Sequence, residues 1–169
     1  MPERGKQPAR RFVRAAEAGW LPLLSHMRDV RDGWDRAASG LTANDAPQDS
    51  SEGEWGPWHV LNHVAGYLEA ATTVLRSLAA GESVDYPRAQ KWLGDEVSFG
   101  ELNAALGRGW EEYVDALEAA AGSPETTATV THVLAGTMTA REWTALGVYH
   151  LTEHVDQLGE FRRTLRPED

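Results

Sequence analysis

Hydrophobic residues recur every three or four positions in four long stretches of the chain, which is the spacing of amphipathic helices. The first stretch runs from Ala9 to about Ala38, and Pro22 within it marks either a kink or the true start of the helix. The second stretch begins at Pro57, a residue suited to the first helical position. It ends at Gly81, which we predict to be a C-cap.

Capping signals mark the third and fourth helices. Ser98 and Glu101 form an S-x-x-E capping box, and Thr139 and Glu142 form a second box of the same kind. The third helix is expected to stop at Gly122, and the fourth to continue almost to the C-terminus. Four long helices joined by loops that cannot form an extensive sheet predict an all-α fold, a four-helix bundle.

The connecting segments 39–56 and 122–138 are long, and we expect them to contribute the wall and lid of a pocket. The second segment contains TTATVTHVLAG, whose β-branched residues predict a short strand or an extended lid. We expect residues 1–8 to form a disordered tail and residues 9–166 to form a single domain.

The composition narrows the possible functions. The formal net charge of −10 disfavours nucleic acid as a partner, because most of the surface would repel a polyanion. The chain has no cysteine, which excludes disulfides, thiolate metal sites and a cysteine nucleophile. No segment has the apolar length of a membrane span and no signal peptide is recognisable, so we expect a cytoplasmic protein. The seven tryptophans suggest a core or pocket lined with large flat rings.

Two histidines of the fourth helix fall on its apolar side. On a helical wheel His150 and His154 lie within the stripe that also carries Trp143, Leu146 and Phe161. A single buried imidazole is commonly a core residue bonded to a carbonyl group. Two imidazoles one turn apart crowd their nitrogens together, which a cation satisfies and a dry core does not. The i, i+4 spacing is the one at which two imidazoles share a metal ion.

A third ligand is expected from the second helix, which carries His59 and His63. His63 flanks the apolar stripe of this helix, whereas His59 lies about 40° further toward solvent, so His63 is the better candidate. His26 and His132 lack such a context, and we interpret them as a helix-surface residue and a loop residue.

The depth of these residues along the bundle bears on its topology. His63 lies roughly 9 Å from the start of its helix and His154 roughly 15 Å from the end of the last helix, at 1.5 Å per residue. They meet at similar depth if the second and fourth helices are antiparallel. The metal hypothesis therefore favours an up-down-down-up order, with segment 81–97 as the crossover.

His150, Glu153 and His154 also spell H-x-x-E-H, the inverzincin pattern, in which the glutamate is the general base. Such enzymes take a further ligand well downstream, and too little chain follows His154. Glu153 is a candidate acid or base at the edge of the site, or else a solvated carboxylate.

Two motifs carry a resemblance to a known family. W-G-P-W-H-V-L-N-H at Trp55–His63, followed by H-L-T-E-H-V-D-Q-L at His150–Leu158, resembles the DinB/YfiT-like metalloenzyme superfamily over nearly the whole chain. The positions that match the pattern of that family are Trp55, His63, His150, His154 and Gln157. Two positions depart from it, Gly56 in place of a capping serine and Asp156 in place of a small residue.

The resemblance implies an up-down-down-up four-helix bundle with a divalent ion, often zinc or nickel, on three histidines and with coordination positions left open. It also implies a metal-dependent enzyme that activates a small-molecule thiol, such as mycothiol or bacillithiol, or water against a small electrophilic substrate. Such an enzyme would be a thiol transferase, an isomerase or a detoxifying hydrolase. The residues expected to support the ligands or to line the pocket are Tyr67, Gln157, Trp55 and His59.

A different class of function stays open at this point. The chain is alternatively a non-catalytic, metal-binding or ligand-sensing bundle that acts as a homodimer. Exchangeable water at the metal distinguishes the two, because a closed coordination shell without a substrate-sized cavity favours the binding module.

Overall fold

The computed structural model describes residues 13–47, 55–86 and 96–165. Four long helices dominate these residues, and a helical stretch at residues 13–17 precedes them. The long helices are α1 (Trp20–Ala38), α2 (Pro57–Ala79), α3 (Phe99–Gly122) and α4 (Ala140–Leu165). The predicted all-α bundle is thereby confirmed. The expected tail at residues 1–8 lies outside the described residues, and the single domain over residues 9–166 stays a prediction.

Helix α1 begins later than Ala9, where its apolar pattern starts. Gly19 has φ 89° and interrupts the helical backbone, so α1 starts at Trp20. Pro22 therefore lies in the first turn, where the missing N–H has no partner within the helix in any case. Of the two interpretations of Pro22, the true start of the helix is the one observed.

Local hydrogen bonds define the end of α2 and the starts of α3 and α4. Gly81 has φ 83° just after α2, and the N–H groups of Gly81 and Glu82 donate to Leu78 and Ser77, as in a Schellman motif. The side chains of Ser98 and Glu101 each bond to the backbone of the other at the start of α3. Thr139 and Glu142 do the same before α4.

Contacts between side chains give the direction of α2 relative to α4. At the start of α2, Trp55 stacks on His154 of α4. About three turns further along α2, Tyr67 packs against Trp143, near the start of α4. The two helices therefore run antiparallel, which is the arrangement that brings His63 level with the histidines of α4.

In each of two other helix pairs, α1 with α4 and α2 with α3, the two helices are parallel to each other. Along α1 and α4, a Cβ atom on Gly33 would lie 3.1 Å from Val155, and Arg162 donates to the carbonyl of Arg36. Along α2 and α3, Leu68 packs against Gly109, and Arg76 forms an ion pair with Glu112 at 3.7 Å. These directions agree with an up-down-down-up order.

A small sheet lies among the connections between the helices. Strand β1 (Val84–Asp85) follows α2, and β2 (Val130–His132) and β3 (Gly136–Met138) form a hairpin between α3 and α4. β1 pairs with β2 in parallel and β3 pairs with β2 in antiparallel. The strand predicted in TTATVTHVLAG is thus present. The interpretation of His132 as a loop residue is wrong, because it is the last residue of β2 and pairs with Gly136.

Helix α2 is the most enclosed part of the bundle. Every residue from Val60 to Leu68 is buried, since α3 packs against one side of α2 and α4 against another. The polar side chains in this stretch, Asn62 and His63, have only 0% and 2% of their surface exposed. None of the helices in the described ranges has both the length and the apolar character needed to cross a membrane.

Gly147 allows α4 to approach the core closely. A Cβ atom at this position would lie 2.5 Å from the hydroxyl oxygen of Tyr113 and 2.9 Å from that of Tyr67. We predict that Gly147→Ala lowers the free energy of unfolding by roughly 1–3 kcal/mol, the usual cost of overpacking. Urea unfolding of the metal-free protein measures this loss.

Gly107→Ala is the matched control, because a Cβ atom at Gly107 in α3 would meet no atom within 4 Å. It should stabilise the protein by roughly 0.5–1 kcal/mol, as alanine is the better helix former. Combining Gly147→Ala with Tyr113→Phe removes the nearer hydroxyl and should recover part of the loss. An undiminished loss in the double variant would contradict a steric cause.

Candidate metal centre

Three histidines from α2 and α4 come together at the crossing of these helices. One ring nitrogen from each of His63, His150 and His154 lies within 4.8 Å of the other two. His63 and His154 are buried, with 2% and 9% of their surface exposed, and His150 is half-buried. This group of potential metal ligands joins the i, i+4 pair of α4 to the facing histidine of α2.

The spacing of the nitrogens suits a shared ion. Nε2 of His63 lies 3.0 Å from Nε2 of His150. Two nitrogens that are each about 2.0–2.1 Å from one metal ion, and about 90–110° apart around it, are separated by roughly 2.9–3.4 Å. The third ring is close to both, since the centroid of His154 is 4.8 Å from that of His63 and 4.6 Å from that of His150. The set needs little movement to enclose a cation.

Gln157 orients the imidazole of His154. Nδ1 of His154 is 3.2 Å from Oε1 of Gln157, and an amide oxygen can only accept, so Nδ1 carries the proton. Nε2 of His154 then keeps its lone pair. This atom is buried and has no hydrogen-bond partner among the described residues. A buried lone pair without a donor, held by a hydrogen bond on the other side of the ring, is the arrangement of a metal-ligating histidine.

Burial keeps these rings neutral. Desolvation, followed by the charge of His154, lowers the pKa of His63 from 6.5 to about 4. Desolvation, followed by the charges of His154 and His63, lowers the pKa of His150 to about 3. The pKa of His154 is also lowered by burial, against the opposing effects of Gln157 and Glu153. At neutral pH all three therefore offer lone pairs rather than positive charges.

Aromatic residues enclose the imidazoles. Trp55 stacks on His154 with 6.1 Å between ring centroids and 9° between planes, and it packs edge-on against His63 at 5.0 Å. Tyr67 packs against His150 at 4.6 Å. Burial raises the pKa of Tyr67 well above 10, so its hydroxyl keeps its proton. Both residues were expected near the site from the sequence.

The other candidates lie further from the three nitrogens. His59 is half-buried and packs against Trp58, outside the histidine cluster. Glu153 is exposed, and its carboxylate acts on the neighbouring His154 by raising its pKa. Its part in catalysis stays a prediction. His26 is exposed on α1, as predicted.

The sequence reasoning did not predict that Tyr86 and His132 lie near the site. The ring of Tyr86, just after β1, lies 4.9 Å from Trp143 and 5.3 Å from His132. The only available signal was the β-branched run before His132, which predicted a strand but not its partner. The pairing of β1 with β2 brings both rings toward α4.

Two surface cavities lie away from the three clustered histidines. One of about 330 Å³ lies between α1 and α4 beside His26, and another of about 250 Å³ lies beside Trp20 and Arg141. Neither includes a histidine of the cluster. The position of the centre therefore rests on the convergence of its ligand atoms.

We predict that the metal-free protein loses stability as the pH falls from about 6.5 toward about 4. The folded-state pKa values of His63 and His150 lie below the ordinary value of 6.5. In this window the unfolded chain therefore binds protons that the folded chain does not, and stability rises with pH. At about pH 5 unfolding should take up roughly two protons at these residues. Denaturant unfolding in the presence of a chelator, repeated across the pH range, measures the slope.

The double variant His63→Gln, His150→Gln serves as the control for this pH dependence. It removes both titrating rings while keeping polar side chains of similar size, so the slope should become shallower by about two protons. Equal slopes in the two proteins would show that other groups cause the acid sensitivity.

A sequence model described as the DinB superfamily matches residues 26–158, which cover most of the chain and all three clustered histidines. No curated protein and no solved structure matches the chain.

Proposed function

The chain belongs to the DinB superfamily, and we propose that it is a metal-dependent enzyme whose His63, His150 and His154 hold a divalent ion. The reaction we assign is the attack of a small-molecule thiol, or of water, on a small electrophilic substrate. The single observation that supports this most is the convergence of three neutral ring nitrogens from two antiparallel helices.

The donor set defines the class of metal. Three imidazoles without a carboxylate or thiolate suit zinc, nickel and other borderline ions better than magnesium or calcium, which prefer oxygen. We expect zinc or nickel. A divalent ion on three neutral ligands keeps its full charge and open positions, so it lowers the pKa of a bound thiol or water and polarises a substrate carbonyl.

The surrounding residues hold and shield the ligands. Gln157 fixes the tautomer of His154 through Nδ1, so that Nε2 stays available. Trp55 stacks on His154, packs edge-on against His63, and limits the approach of water from the start of α2. Tyr67 supports the ring of His150 from the core side, and its protonated hydroxyl adds no negative charge to the site.

The sulfur nucleophile would have to come from outside the protein. The chain contains no cysteine, so a thiol reaction needs a low-molecular-weight thiol as cosubstrate. We retain Glu153 as the candidate proton acceptor, because its carboxylate is close enough to His154 to raise its pKa while staying accessible to solvent.

We predict that the purified, untagged protein binds about one divalent ion per chain, and that His63→Ala weakens this binding by more than about 100-fold. The reason is that even the loss of a group that only orients a ligand costs roughly 10–100-fold in metal affinity. Elemental analysis after dialysis and competition with a coloured chelator measure the two quantities.

His26→Ala is the matched control for this experiment, because His26 is exposed on α1 and lies outside the cluster. It should bind metal as the wild type does. The double variant His150→Ala, His154→Ala should lose the ion as His63→Ala does. Full metal content in either ligand variant would end the three-histidine hypothesis.

A second prediction separates an enzyme from a non-catalytic bundle. Cobalt-substituted protein should change its visible spectrum when a small thiol such as 2-mercaptoethanol is added, because a three-histidine site leaves a position for an external ligand. The response should saturate, and it should be absent in His63→Ala treated with the same cobalt. A cobalt spectrum that no thiol alters would favour a closed structural site, as in a metal-binding or ligand-sensing module.

A further inference from the structure

The sheet brings a fourth histidine, His132, against Trp143 of α4, the helix that carries His150 and His154. β1 and β2 pair in parallel, and the N–H of Tyr86 donates to the carbonyl of Thr131 at 2.9 Å. This register places the ring of Tyr86 on that of His132, with 5.3 Å between centroids and 26° between planes. The stacked pair also lies against Trp143 of α4, at 4.9 Å from Tyr86 and 6.3 Å from His132.

The position of His132 relative to the centre follows from its neighbours. Trp143 packs on Tyr67, which in turn packs on His150. The charge of His132 is also among the causes that lower the pKa of His150, together with those of the two other clustered histidines. His132 is therefore linked to His150 through the rings of Trp143 and Tyr67, although it lies outside the group of potential ligands.

The hairpin fixes the tautomer of His132. The backbone N–H groups of Leu134 and Ala135 both lie 3.2 Å from Nδ1. A backbone N–H can only donate, so Nδ1 must accept and the neutral ring carries its proton on Nε2. Burial lowers the pKa of His132, which keeps the ring neutral. The result is an oriented Nε2–H donor that has no acceptor among the described residues.

The turn itself does not need this donor. An asparagine oxygen can accept two backbone N–H groups in the same place, as in an Asx-turn. What histidine adds is a rigid ring with a second polar atom on the far side, stacked between the sheet and α4. A fixed donor beside a metal centre is suited to an acceptor atom of a bound molecule.

We propose that Nε2–H of His132 donates a hydrogen bond to an oxygen of the electrophilic substrate, such as a carbonyl, ester or epoxide oxygen. It thereby orients the reacting carbon toward the nucleophile at the three-histidine centre. This inference rests on the proposed function, because it needs a ligand at that centre. It makes His132 a substrate-binding residue and Tyr86 the residue that positions it.

The test uses His132→Asn in the cobalt-loaded full-length protein. Asparagine keeps an acceptor for the N–H groups of Leu134 and Ala135 but has no donor at the place of Nε2. Acetohydroxamate, whose two oxygens bind metal and can still accept a hydrogen bond, should bind about five- to tenfold more weakly to this variant, as expected for one lost hydrogen bond. Ethanethiol, which offers no oxygen, should bind equally to both proteins. The cobalt spectrum reports both titrations.

Equal hydroxamate affinity in the two proteins would overturn the role of His132. A similar weakening of both probes, or a lower melting temperature or metal content in His132→Asn, would also overturn it by indicating a structural role. A wild-type protein that fails to bind cobalt would overturn the proposed function, and this inference with it. If His132→Asn does not fold, the ¹⁵N resonances of His132 in the wild type decide. An Nε2–H tautomer whose Nε2 signal moves with acetohydroxamate supports the proposal, and an unmoved signal overturns it.

Discussion

The candidate metal centre of this protein depends on the enclosure of three neutral imidazoles where α2 crosses α4. Nε2 of His63 is 3.0 Å from Nε2 of His150, so at most one of the two can donate to the other, and Nε2 of His154 is buried without a donor. A buried polar atom left unsatisfied costs about 1–3 kcal/mol. Because α2 is enclosed by its neighbours, the ring of His63 cannot turn out to water. The folded chain therefore keeps a preformed set of lone pairs at the expense of its own stability, an arrangement that a cation relieves.

Packing around the three imidazoles holds them in one geometry. Trp55 is held just ahead of α2 because Pro57 fixes the first turn, and from there it covers two imidazoles at once. On the other side Gly147 lets α4 come close enough for Tyr67 to reach His150. These contacts come from different helices and cannot shift independently, since protein interiors have little free volume. The ligand atoms are thus placed by the helix crossing as well as by their own rotamers.

Much of this could be predicted from the sequence, and the exceptions have physical causes. The starts of α3 and α4 were predictable because their capping boxes are local, at Ser98 and Thr139. The start of α1 was only one of two interpretations of Pro22, because the apolar spacing continues through Gly19, where the backbone conformation breaks the helix. His63 was expected at the edge of an apolar stripe, yet it is almost fully buried because α2 is covered by both α3 and α4. His132 was assigned to a loop, yet it is the last residue of β2 and pairs with Gly136. The other partner of β2, Val84–Asp85, is distant in sequence and could not be predicted.

The long helices and the short strands constrain the site in different ways. The clustered histidines lie on long helices, whose backbone hydrogen bonds fix the i, i+4 spacing and whose crossing fixes the third ring. Tyr86 and His132 instead depend on a few strand residues and on two N–H groups of the hairpin turn, next to the exposed side chains of Val133 and Leu134. A change in that turn therefore shifts Tyr86 and His132 without disturbing the crossing of α2 and α4. Under the proposed function, the bundle would keep the three-histidine group in place while the connections determine which substrate binds, in line with the general placement of binding residues on loops over a rigid scaffold.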